Sequence, residues 1–131
     1  MEKKLVTEKP CCGSMYEESI TLSKAEKEVL VECNQDVLLM YKLFDELYHT
    51  EESNHLYSMH EDIQKKLNCE DVKIPQFNKL ELMSLVSSLA HRAELKILIV
   101  KNNGLDPKQD KELIFLNALY IKLHKAFLEA N

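Results

Sequence analysis

Residues 101–109 read Lys-Asn-Asn-Gly-Leu-Asp-Pro-Lys-Gln, and this stretch decides the fold class. Gly104 is placed as the left-handed residue that ends a helix. Asp106 is an N-cap, Pro107 suits the first helical position, and Gln109 sits at the third. One helix stops here and another starts almost at once. A connection this short makes the two helices antiparallel neighbours.

Working outward, both flanks carry a helical repeat. Upstream, Leu82, Val86, Leu89, Ala93, Ile97 and Val100 line one face of a helix running from Gln76 or Asn78 to Asn103. Downstream, Leu113, Leu116, Tyr120, Leu123 and Phe127 form the main stripe of the last helix. Pro75 pushes the residue before it out of helical geometry, so residues 69–76 read as a linker. The other proline, Pro10, and the other glycine, Gly13, lie near the N-terminus, so every Gly and Pro falls at a segment border.

The first helix opens on a capping box, with Ser23 able to accept from Glu26 N–H and Glu26 able to reach back. Leu30, Cys33, Val37, Met40, Phe44 and Leu47 then repeat on one face. Continued further, the repeat meets only polar residues, while Leu56, Met59, Ile63 and Leu67 begin a new phase. The chain must therefore break between His49 and Ser53, with Thr50 as a fair N-cap. One continuous helix over residues 23–68 would span ~70 Å, too long for a compact domain. The expectation is an all-α protein: an antiparallel four-helix bundle over residues 21–131, preceded by a flexible, largely disordered tail over residues 1–20.

Composition excludes several classes. Charged residues make up 30% of the chain and the net charge is -5, with acids and bases interspersed and no basic stripe for a phosphate backbone. Nucleic acid is therefore not an expected partner. No apolar run approaches the ~18 residues a membrane span needs. The first ten residues lack the hydrophobic core of a secretory signal, and Glu2 excludes myristoylation. A cytoplasmic or nuclear protein with reduced thiols is expected, with no membrane partner.

Few residues carry candidate chemistry. Glu46 with His49 and Glu52 with His55 have the Glu-x-x-His spacing of di-iron bundles. However, Glu46 and His49 each lie two positions past a core residue, about 200° around the helix from it. They read as solvated polar groups, and so does the wider set His49, His55 and His60. His91 lies two residues past Leu89, on an outer helix face, as a phosphoacceptor histidine does in a histidine-phosphotransfer bundle. The usual following glycine is missing, and Glu94 would oppose a phosphate; Ser84, Ser87 and Ser88 make the surrounding surface small. Cys11 and Cys12 are adjacent thiols in the tail and Cys33 is a small core hydrophobe.

The feature of greatest weight is surplus apolar surface. Helix one carries Leu38, Leu39, Tyr41, Leu43 and Tyr48 beyond its stripe. Helix three adds Leu95, Leu98 and Ile99, and helix four a second stripe of Ile114, Ile121 and Leu128. Phe115 falls on the side of Lys111 and Lys122, which should face water. One layer of four helices absorbs one broad stripe per helix. Either helices one and four are central and covered, or part of this surface meets a partner. The expected function is non-enzymatic: an interaction or regulatory module whose partner is another protein, with a homodimer among the options. Its contact residues are taken as Tyr41, Tyr48, Leu95, Ile99, Phe115 and Ile121. No cofactor is expected. The alternative is a phosphotransfer protein using His91, or a metal-binding bundle.

Overall fold

A computed structural model describes residues 21–130. The protein is all-α, with helices α1 (Lys24–Tyr48), α2 (Glu51–Leu67), α3 (Lys79–Asn102) and α4 (Lys111–Glu129). The tail proposed for residues 1–20, with Cys11 and Cys12, lies outside the described residues.

Local chemistry sets the helix ends. Ser23 Oγ accepts from Glu26 N–H at 3.1 Å and Glu26 Oε1 accepts from Ser23 N–H at 2.8 Å, closing the capping box of α1. The break expected after His49 occurs at His49 itself, whose φ of 49° places it in the left-handed region. Histidine tolerates that region better than bulkier or branched residues do. Asn78 and Glu81 form an equivalent box on α3. Gly104, at φ 75°, ends α3 in a Schellman motif: its N–H donates to Lys101 and the Leu105 N–H to Val100.

One boundary differs from the sequence reading. Asp106 caps only a 3₁₀ turn, Pro107–Gln109, and the cap of α4 is Asp110, whose Oδ2 accepts from Leu113 N–H at 3.0 Å. Two Asp residues four apart both offered a cap. The second wins the α-helix because it immediately precedes the Leu113 stripe.

The helices pair as two hairpins. Lys27 at the start of α1 donates to the Cys69 and Glu70 carbonyls just past α2, each at 3.0 Å. Lys79 at the start of α3 reaches the Ala130 carbonyl just past α4, at 3.3 Å. α1 packs mainly on α2, and α3 mainly on α4, while α1 against α3 forms the seam between hairpins. The starts of α1 and α3 and the ends of α2 and α4 thus share one end of the molecule, here the base. The two turns, near His49 and Gly104, share the other end, the mouth.

The base is closed by what the sequence presents as a linker. Val72, Ile74 and Phe77 are buried there, and Leu22 N–H donates to the Val72 carbonyl at 3.0 Å. Lys122 of α4 holds the Thr21 carbonyl at 2.9 Å and Glu26 Oε1 at 3.0 Å. Above this floor Leu30, Cys33, Ile63, Leu67, Leu82, Leu85, Leu89, Leu119 and Leu123 form the core.

Candidate functional site

Two features stand out within this frame. The first is a polar chain through the seam. Asn34 of α1 donates its amide protons to the His60 carbonyl and to Gln64 Oε1, both at 2.9 Å. That orientation leaves Asn34 Oδ1 facing His60 Nδ1 at 2.7 Å, so Nδ1 carries the ring proton. His60 Nε2 is then the acceptor for the Ser84 hydroxyl of α3, at 3.0 Å. Asn34 and His60 are buried, and the Tyr41 ring lies 5.4 Å from the His60 ring. Burial pushes the His60 imidazole below its ordinary pKa.

A serine, a base and an amide that orients the base is the order of a nucleophilic triad. A triad also needs free backbone donors where an oxyanion would form. Here Ser84 lies inside α3, where the backbone N–H groups are taken up by the helix ladder. Neither Ser84 nor His60 lines either of the grooves described below. The polar chain satisfies two buried groups, Asn34 and His60, and ties α1, α2 and α3 together at one level.

The second feature is a groove along the same seam, toward the mouth. It holds about 470 Å³ and lies between Val37 and Met40 of α1 and Leu95 and Ile99 of α3, with Cys33 and Ser88 at its lower end. Counted from their caps, α1 and α3 rise together, so Met40 stands level with Leu95 and Phe44 with Ile99. Arg92 bridges the lower end, with Nη1 2.8 Å from Glu32 Oε1 and Nη2 3.3 Å from Asp36 Oδ2. Every side chain-mediated contact between the hairpins described above lies at or below this bridge. Beyond Asn34, no residue of α1 from 35 to 48 is buried. Leu47 is 71% exposed and Tyr48 68%. On the other wall, α4 keeps covering α3 up to Val100, with Lys96 bonded to Glu112 at 3.0 Å. A second groove of about 540 Å³ runs between α3 and α4 on the outer side, past Ala93, Ile97, Ile114 and Tyr120.

The residues expected at a contact surface are not all brought together. Leu95 and Ile99 line the seam groove. Tyr48, the last residue of α1, is exposed 6.3 Å from the Phe44 ring and does not line that groove. Tyr41 points instead toward α2 and is half-buried against His60. Phe115 packs partly against the core, because its expected water-facing neighbour Lys122 is itself drawn into the Glu26 pair. Ile121 is exposed with Ile114 and Leu128 on a separate stripe of α4. His91 is exposed and borders the seam groove. Of the serines expected to make its surroundings open, only Ser87 is exposed; Ser84 is turned to His60 and Ser88 to the Leu85 carbonyl.

Two expectations are overturned. His60 is not a solvated member of a histidine-rich turn but a buried, fully bonded group. The stripe of α1 does not stay in the core: Met40, Phe44 and Leu47 are exposed. Among the described residues no group of three or more His, Cys, Asp or Glu side chains is placed to hold a metal, and His49, His55 and His60 do not converge. The sequence reading passes over Asn34, Glu81 and the bond between Ser84 and His60. A signal existed for two of the buried polar groups: Asn34 follows Leu30 by four, and His60 follows Leu56 by four and precedes Ile63 by three, so both lie on apolar stripes. Glu81 is buried by a different route, accepting from Asn78 N–H at 2.8 Å and from Lys66 at 2.6 Å.

Among the described residues no helix is long and apolar enough to cross a membrane. Compared with protein-family models, with curated proteins and with solved structures, the chain matches none.

Proposed function

We propose that this chain is a non-enzymatic interaction module that receives another protein in the seam groove. Its framework is read as an antiparallel four-helix bundle, on the strength of the shared base and mouth. The observation that carries the proposal is the uncovered half of α1. Val37, Met40, Phe44 and Leu47 continue the same stripe as buried Leu30 and Cys33, yet none of the four is buried. Opposite them Leu95 and Ile99 are left exposed in the same way. Covering a side chain of this size contributes about 1.5–3 kcal/mol, so a partner that bridges both walls gains several such terms. Aromatic side chains dominate such contacts, and Phe44 and Tyr48 stand where they can act as anchors.

The test is affinity co-purification of the full chain compared across three variants. Met40→Glu and Leu95→Glu place a charge on each wall at exposed positions and leave the fold intact by circular dichroism. Both are expected to lose a partner that Ile121→Glu, on the separate α4 stripe, retains. The opposite pattern moves the contact to α4, and retention by all three variants defeats the proposal.

The phosphoacceptor reading of His91 keeps one observation in its favour, the exposure of that ring beside the groove. It predicts phosphoryl uptake from a small-molecule donor that His91→Ala abolishes without loss of fold. No uptake by the unaltered chain removes it.

A further inference from the structure

We infer that this chain pairs with a second copy of itself through the outer face of α4, the two helices running antiparallel about a two-fold axis at Ile121. This face is separate from the seam groove, so the inference goes beyond the reading above and does not rest on it.

One helix carries both a protrusion and a hollow. Ile114, Ile121 and Leu128 recur every seven residues on the side of α4 turned away from buried Leu116 and Leu123, and all three are exposed. Seven residues fall short of two full turns by about 20°, so the stripe slants slowly around the helix. The slant carries Leu128 toward the flank that holds Asn117 and Tyr120. On that same flank the groove of about 540 Å³ opens between α3 and α4. The α4 lining of the groove ends at Tyr120, while Leu128 stands about 21 Å along the axis from Ile114 at 1.5 Å per residue. Leu128 therefore cannot fill the groove of its own chain.

A two-fold axis at Ile121 brings protrusion and hollow together. It sets Ile121 against itself and lays Leu128 of each copy level with Ile114 of the other. An axis normal to the helix pair keeps groove flank on groove flank. Leu128 of one copy then enters the groove beside Ile114, Ile97 and Ala93 of the other. Protrusion and hollow on one chain, disposed evenly about a point, are what a self-complementary two-fold interface requires. A stripe of period seven also suits two helices crossing at about 20°.

Charge chooses the direction. On the opposite flank Lys111 and Glu129 are exposed and lie eighteen residues apart, five turns, so they share one line along the helix. Among the described residues neither forms an ion pair. In the antiparallel register Lys111 of each copy comes within two positions, about 3 Å along the axis, of Glu129 of the other, and the pair occurs twice. A parallel register stacks Lys111 on Lys111, Lys125 on Lys125 and Glu129 on Glu129, and like charges brought together disfavour pairing. Antiparallel, Lys125 falls level with Asn117, and Lys122, near the axis, is already bonded to Glu26.

The test is sedimentation of the full chain from about 1 µM to about 1 mM, the span of weak to moderate affinities. The unaltered chain is expected to shift from monomer to dimer within it. Ile121→Glu sets two carboxylates side by side on the axis and should stay monomeric, with its fold intact by circular dichroism. Lys111→Glu and Glu129→Lys should each weaken the dimer about fivefold or more, because two exposed pairs turn repulsive together. Combining them should return the affinity to within about twofold of the unaltered chain. Loss in each single variant with recovery in the combination is the signature of the antiparallel register. Leu95→Glu, in the seam groove, should dimerise normally. A chain that stays monomeric throughout the range overturns the inference and leaves the seam groove untouched. A dimer indifferent to Ile121→Glu also overturns it, and one lost in Leu95→Glu gives the seam groove to the second copy instead. Failure of the combined variant to recover overturns the antiparallel register. A monomeric chain that co-purifies a different protein, lost only in Ile121→Glu, gives the α4 face to that protein and overturns the inference in that way.

Discussion

The lower and upper halves of α1 have nearly the same apolar periodicity and opposite fates. Below Arg92, Leu30 and Cys33 are buried, Asn34 is fully bonded, and four elements converge on one core. Above it, Val37, Met40, Phe44 and Leu47 carry the stripe on to the mouth without being buried, with Leu95 and Ile99 of α3 across an open groove. α3 does not show this contrast, because α4 runs beside it to Val100. The difference teaches that an apolar stripe records what a helix can bury. Whether it buries it depends on what the neighbouring hairpin packs against it. It also separates the two halves physically: the lower half closes the core, and the upper half keeps its apolar face uncovered.

Mutations can break or sharpen this contrast. The largest effect should come from matched leucine truncations. Leu30→Ala, in the closed half, is expected to cost about 2–5 kcal/mol in urea denaturation, whereas Leu47→Ala, in the open half, should stay within about 0.5 kcal/mol. A large loss at Leu47 would mean the upper half is covered after all. Next comes the polar chain. Asn34→Ala removes the acceptor of a buried imidazole and should cost about 1–3 kcal/mol, the penalty of leaving a buried polar group unpaired. A neutral result would mean that water reaches the seam.

A smaller effect should appear on acidification. Burial lowers the His60 pKa, so the unfolded chain takes up a proton below about 6.5 while the folded chain still resists it. Stability should therefore fall as pH drops from the unfolded value toward the folded one, and this contribution should level off below the latter. His60→Gln removes the titration, so the stability difference between the two proteins, measured at pH 7.5, 6.5 and 5.5, should shift steadily toward the variant. A pH-independent difference would put His60 in contact with solvent. The smallest effect belongs to Arg92→Ala at the boundary between the halves. Its carboxylate partners Glu32 and Asp36 are largely exposed, so the loss should be no more than about 1 kcal/mol. A larger loss would show that the bridge, and not the core below it, sets where the seam opens.

Much of the frame was legible from short-range chemistry. Ser23 with Glu26, the break at His49 and the Gly104 end of α3 depend on groups a few residues apart, and the structure places all three where the spacing put them. The start of α4 was harder because Asp106 and Asp110 both cap, and only the packing of Leu113 separates them. The linker before Phe77 carries no helical stripe, because Val72, Ile74 and Phe77 are interspersed with Lys73, Pro75 and Gln76. Only the base, which needs a plug, shows why those three turn inward. The candidate groove is half legible: surplus apolar content points to Leu95 and Ile99, but the same rule that correctly places Leu30 in the core places Met40 there too.

By itself, then, the sequence determined the all-α class, the caps, and the apolar faces that each helix must satisfy, because those follow from contacts within a turn or two of helix. Only the tertiary structure decided which stretch of a face was satisfied, that His60 would be buried between Asn34 and Ser84, and that the seam would close at the base and open at the mouth. Those outcomes depend on residues from 24 to 60 positions apart arriving at the same height. Helical periodicity fixes direction around an axis and carries no information about what stands opposite.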